Sequence, residues 1–113
     1  LAQNEPQNEQ ERAGYQASID TIQRVTGTRP VGLNAFWLRG TPNTLGILQD
    51  LGFIYHIDDI SQDEPFTVTV KGKPFAVVPY TIRKNDIVRF DSPATTNAVY
   101  LQDMKDDFDV LYA

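Results

Sequence analysis

The stretch Arg29-Pro30-Val31-Gly32-Leu33-Asn34-Ala35-Phe36-Trp37-Leu38-Arg39-Gly40-Thr41-Pro42-Asn43-Thr44 constrains the fold of this chain most. It joins two helical patterns through an apolar run too short for a helix. The run ends in aromatic and polar side chains. That is half of a βα unit with chemistry-capable residues at the strand's C-terminal end. In a barrel or open α/β sheet, active sites are built at that end.

The flanking patterns agree. Tyr15, Ile19, Ile22 and Val25 recur at helical spacing and predict a helix over residues 8–26, buried along that stripe. Gly27 is its natural stop. A strand follows over 29–36. Thr41-Pro42 starts a second helix that runs to Leu51, with Leu45, Leu48 and Leu51 inward and Gly52 ending it. Phe53-Ile54-Tyr55 reads as a short buried strand. Helix, strand, helix, strand at this spacing is the pattern of an α/β fold with parallel pairing.

After Tyr55 the pattern changes. Phe66, Val68 and Val70 alternate with Thr67 and Thr69, a two-faced strand. Lys71-Gly72 predicts a tight turn, and residues 75–80 return as a second strand. Pro74 and Pro79 place that strand at an edge or near its ends. The hairpin is expected to decorate the mouth of a sheet or barrel, over a cleft, rather than extend its core. Asp86 to Phe90 reads as another short strand. A last helix begins near residues 93–96, with Leu101, Met104, Phe108 and Leu111 as its buried seam.

Composition narrows function. Fifteen acidic residues against ten basic ones give a net charge of −5, which argues against a nucleic-acid surface. No apolar run reaches the length of a membrane span. The absence of cysteine leans towards a reducing, cytoplasmic compartment, with an extracytoplasmic location left open. At 113 residues the chain is too short for a complete (β/α)₈ barrel of about 250 residues, and it reads as a single segment of something longer.

Three groups of residues could carry chemistry. Asp58-Asp59 and Asp63-Glu64 follow a predicted strand end, suited to general-base or metal work, or to Asx turns and helix caps. His56, the only histidine, reads as a hydrogen-bonded structural residue, because one histidine does not make a three-ligand site. Asn34, Trp37 and Arg39 could orient an amide, stack on a flat ring and pair with a carboxylate. They could equally be core and local capping residues. Arg83 and Asn85 end the hairpin and read as turn residues or as further cleft candidates.

The segments Thr26-Gly27-Thr28-Arg29-Pro30-Val31-Gly32, Thr41-Pro42-Asn43-Thr44-Leu45, Leu51-Gly52-Phe53-Ile54-Tyr55, Asp58-Asp59 and Asp63-Glu64-Pro65-Phe66 together resemble the central part of polysaccharide deacetylases, the nodulation-type carbohydrate esterases of family four. The branch most resembled includes allantoinase-like and peptidoglycan-deacetylase-like enzymes. The resemblance implies a partial (β/α)₇ deacetylase-type barrel with an inserted β-hairpin. It implies a hydrolase of non-peptide carbon–nitrogen bonds, acting on an N-acetylated sugar or a small cyclic amide. The family holds a divalent metal, commonly zinc, by an aspartate and two histidines, with a neighbouring aspartate as base and a later histidine as acid. None of these positions falls in this chain, and His56 matches none of them. The segment is therefore expected to supply Asn34, Trp37, Arg39, Asp58, Asp59 and Asp63 as substrate-pocket residues, to bind no metal alone and to be inactive alone. Asn34 and Phe36 stand where the family has the Arg and Pro of an Arg-x-Pro-aromatic motif, which favours the branch acting on small or cyclic amides or one not yet defined, or marks a degenerate site. A homo-oligomer, or association with the rest of the barrel, is the expected assembly. A non-catalytic binding or interaction domain on the same fold is the alternative.

Overall fold

The computed structural model describes residues 5–35, 38–81, 85–91 and 95–113. The chain divides into two compact units, one ending at Tyr80 and the other running Thr81–Ala113.

The first unit is mixed α/β. Helix α1 (Glu5–Thr26) leads to strand β1 (Gly32–Leu33), helix α2 (Thr44–Asp50) and strand β2 (Tyr55–His56). Strands β3 (Phe66–Val70) and β4 (Lys73–Val77) then form a hairpin. Lys71 and Gly72 both have positive φ, at 48° and 76°, the twist-matched turn that two-residue hairpins need.

The sheet order is β1-β2-β4-β3. β1 pairs with β2, and β2 with β4, in parallel, and only β3 is antiparallel. This corrects the expectation for the hairpin. It does not decorate the mouth of the sheet; its second strand is the sheet's third parallel strand. Pro74 is tolerated inside the sheet because it lies one residue from the start of β4.

The register explains the burial. Leu33, His56, Val77 and Phe66 form one row across the strands, and Gly32, Tyr55, Ala76 and Thr67 the next. Side chains alternate faces along a strand, so Phe75 shares the face of Val77. That face takes the helices: Ile19 of α1 and Leu48 of α2 pack with Phe53 and Phe75 into the core. The Gly32–Tyr55 row faces away from both helices. Gly32 is required there, because a Cβ on it would lie 2.0 Å from Cζ of the Tyr55 ring.

The α1 stripe buries only in part. Ile19 is enclosed and Tyr15 half-buried, but Ile22 is 43% and Val25 73% exposed. Ile22 instead lines the open cavity beside β1.

The second unit is helical. Residues 86–90 form helix α3 (Asp86–Phe90), not the expected strand. The Asn85 side chain accepts from the N–H groups of Ile87 and Val88, satisfying orphan donors of a helix start. Helix α4 (Asn97–Tyr112) begins at Thr96, whose hydroxyl accepts from the Val99 N–H. Its expected seam is not buried: Leu101, Met104, Phe108 and Leu111 are all exposed. One five-residue helix is too little surface to cover a four-turn stripe.

Candidate functional site

Parallel pairing brings the C-terminal ends of β1, β2 and β4 to one edge of the sheet. The ladder continues past the strands, with Ile57 donating to the Leu33 carbonyl at 3.1 Å and Val78 to the His56 carbonyl at 2.9 Å. Residues just beyond these bonds therefore converge, although they lie far apart in sequence.

Asp58 sits at the centre of this edge. Its Oδ1 accepts the Ala35 N–H at 2.8 Å and lies 3.5 Å from Asn34 Nδ2. Its Oδ2 lies 3.9 Å from His56 Nδ1, too long for a hydrogen bond but within ion-pair distance when the ring is protonated. The His56 ring packs on Phe75 with centroids 5.9 Å apart. Its Nε2 is buried with no hydrogen-bond partner among the described residues.

Asp59 turns the other way. Its carboxylate accepts from the Ser61 N–H at 2.8 Å, forming an Asx turn. Hydrogen bonds from Ser61, side chain and backbone, hold it below the usual carboxylate range, with a smaller contribution from His56.

Of the six sequence-predicted site residues, the structure brings Asn34 and Asp58 together and sets Asp59 beside them. Arg39 and Asp63 are exposed. Neither has a described contact to the cluster. Trp37 lies outside the described residues, as does Arg83. Sequence reasoning set His56 aside. The signal that could have found it is its spacing: two residues before Asp58, on the last position of a strand.

A second polar group anchors α1 to the start of α2. The Glu11 carboxylate accepts from the hydroxyls of Thr44, Thr41 (3.0 Å) and Tyr15 (3.3 Å). Burial first, and the Glu11 charge second, push the Tyr15 phenol above its ordinary pKa, with a small contribution from Asp58. Beside β1 lies an open cavity of about 290 Å³, lined by Tyr15, Ile19 and Ile22 of α1 and by Leu33, Asn34 and Phe53.

No group of three or more His, Cys, Asp or Glu side chains among the described residues is placed to hold a metal ion, His56, Asp58 and Asp59 included. No described helix is long and apolar enough to cross a membrane.

A mostly parallel sheet with helices on one face and a carboxylate–carboxamide cluster at its carboxyl edge defines an α/β fold of the kind that binds ligands at that edge. The comparisons specify it further: the fold is polysaccharide-deacetylase-like. The chain is similar to the structure of Puue allantoinase, at 35% identity and a TM-score of 0.76 over 92% of this chain and 35% of that one. It is equally similar to a protein from Pseudomonas aeruginosa PAO1 assigned as a polysaccharide deacetylase, at 36% identity and a TM-score of 0.75 over 92% and 35%. A polysaccharide deacetylase assignment from Mycobacterium smegmatis shares the fold, at 20% identity and a TM-score of 0.79 over 91% and 39%. The chain thus spans little more than a third of these proteins. No family model and no curated protein matches it.

Proposed function

We propose that this chain forms part of a deacetylase-type amidohydrolase acting on non-peptide carbon–nitrogen bonds, in an N-acetylated sugar or a small cyclic amide. The observation that carries this reading is the Asn34–Asp58 cluster at adjacent parallel strand ends. It lies in a chain about 35% identical to an allantoinase and to a deacetylase assignment. In this reading Asn34 faces the substrate, Asp58 holds it in place, and Arg39, Asp59 and Asp63 line the outer rim. A divalent metal such as zinc, which would polarise the scissile amide, would be held by residues outside this segment.

The same reading assigns the free edge of β1. It is an outer strand of the sheet, and the cavity beside it exposes apolar side chains of α1. We propose that this edge is covered by further strands of the barrel, or by a second copy of the chain. A segment of a larger site should not turn over alone. The test is zinc affinity, together with release of acetate from N-acetylated sugars and ring opening of cyclic amides, measured on the 113 residues. Micromolar zinc binding with turnover would show that the site is local and overturn the segment reading. A titration in which the Trp37 fluorescence responds to one sugar or amide, without hydrolysis by any longer form, would favour the ligand-binding alternative.

A further inference from the structure

The Asn34 carboxamide is exposed, and its Nδ2 lies 3.5 Å from Asp58 Oδ1. An ionised carboxylate only accepts hydrogen bonds. The end of Asn34 that faces Asp58 Oδ1 is its Nδ2. A flipped amide would set its own oxygen against a carboxylate oxygen at that distance. Asp58 in turn is held on both sides. One oxygen takes the Ala35 N–H and the other lies against His56, and both side chains are about nine-tenths covered, at 10% and 9% exposure.

The backbone at this point is held as well. The Ala35 N–H is bound by Asp58, and the Ala35 carbonyl accepts the Leu38 N–H at 3.0 Å. Leu38 has φ of 54°, a left-handed conformation that bulky residues rarely adopt. Such strain persists only where the surroundings enforce it, and it concentrates at functional sites.

We propose that Asp58 is a positioning residue that acts through Asn34. It fixes the polarity of the carboxamide, so that Asn34 Oδ1 is presented away from the strand ends as a hydrogen-bond acceptor. The site then selects ligands that offer an amide or ureide N–H over ligands of the same shape that lack one. This rests on the amidohydrolase reading for the position of the cleft. It goes beyond that reading in naming what the ligand must donate and which buried group imposes the requirement.

The experiment uses the ¹⁵N-labelled chain and the variants Asp58→Asn and Asp58→Ala. In the unaltered chain the Asn34 side-chain amide protons should be shifted apart and the Ala35 amide protected. In Asp58→Ala the Asn34 pair should collapse towards solvent values. Exchange at Ala35 should quicken about tenfold, as expected for loss of one ordinary hydrogen bond. Amides of the β3–β4 hairpin should lose no more protection than the fall in global stability measured by urea accounts for. Asp58→Asn should restore Ala35 protection through its carbonyl oxygen without restoring the Asn34 signature, since a carboxamide no longer dictates which end faces it. A purely structural role predicts equal loss at Ala35 and across the whole sheet, with the Asn34 pair still split, and that result would overturn the proposal.

The ligand arm compares hydantoin with 1,3-dimethylhydantoin, which has no N–H. Hydantoin should shift the Asn34 resonances, the dimethyl ring should not, and Asp58→Ala should abolish the difference. Equal shifts with both rings, or none with either, would refute the selecting role. Failure of the amidohydrolase reading shows separately, as absence of amide hydrolysis by a longer form that keeps these Asn34 signatures.

Discussion

Replacing Gly32 with alanine tests the sheet register directly. Glycine to alanine in a strand is ordinarily favourable by about 0.5–1 kcal/mol, because glycine loses the most freedom on folding. Here the added Cβ would lie 2.0 Å from Cζ and 2.4 Å from both Cε atoms of Tyr55. No contact that short survives, so the ring must leave its place across β1 or the strands must part. Overpacking of this kind costs about 1–3 kcal/mol. The clash should outweigh the entropic gain, leaving a net loss of about 0.5–2 kcal/mol. For a domain of this size each kcal/mol lowers Tm by about 4–8 °C. The assay is urea and thermal unfolding of Gly32→Ala, Tyr55→Ala and the double variant. Removing the ring removes the obstacle, so the double variant should be more stable than the sum of the singles by about 1 kcal/mol or more. A Gly32→Ala protein as stable as the parent, or strict additivity, would refute the placement of Tyr55 over Gly32.

Asp58→Ala leaves the half-buried Ala35 N–H without its acceptor and should cost about 1–3 kcal/mol in urea unfolding, with Asp58→Asn closer to the parent. Glu11→Ala removes the acceptor shared by Tyr15, Thr41 and Thr44, and should destabilise by a similar amount, about 1–3 kcal/mol, with faster amide exchange where α1 meets α2. Thr96→Ala removes the N-cap of α4 and should lower helix stability by about 1 kcal/mol, read as loss of circular dichroism intensity on mild heating. Asp50 is held below the usual carboxylate range by hydrogen bonds from Lys71 and Arg12. Its folded pKa is depressed, so its contribution is present above the ordinary carboxylate pKa and fades as pH falls through the folded value. Acid unfolding of Asp50→Asn should therefore begin from a lower neutral stability and fall less steeply, and salt should narrow the difference.

The local grammar was legible in the chain itself. Apolar spacing placed α1 and α2, Lys71-Gly72 gave the hairpin turn, and the polar residues after two short apolar runs marked one end of the sheet. These follow from periodicity and backbone preference, which act over a few residues. The resemblance in residues 26–66 agrees with the polysaccharide-deacetylase-like fold of the structural neighbours.

The remaining features needed contacts between residues far apart in sequence. Residues 86–90 carry a strand-like composition, but a side-chain cap at Asn85 tips five residues into a helix. The hairpin's place inside the sheet depends on β4 finding β2, a parallel pairing that no short-range pattern announces. Asn34 and Asp58 are 24 residues apart, and only the β1–β2 register brings the carboxylate beneath the amide. The sequence by itself determined which polar residues stand at strand ends. The tertiary structure decided which of them meet, because hydrogen bonds and charge contacts act over a few ångströms of space, whatever their separation along the chain.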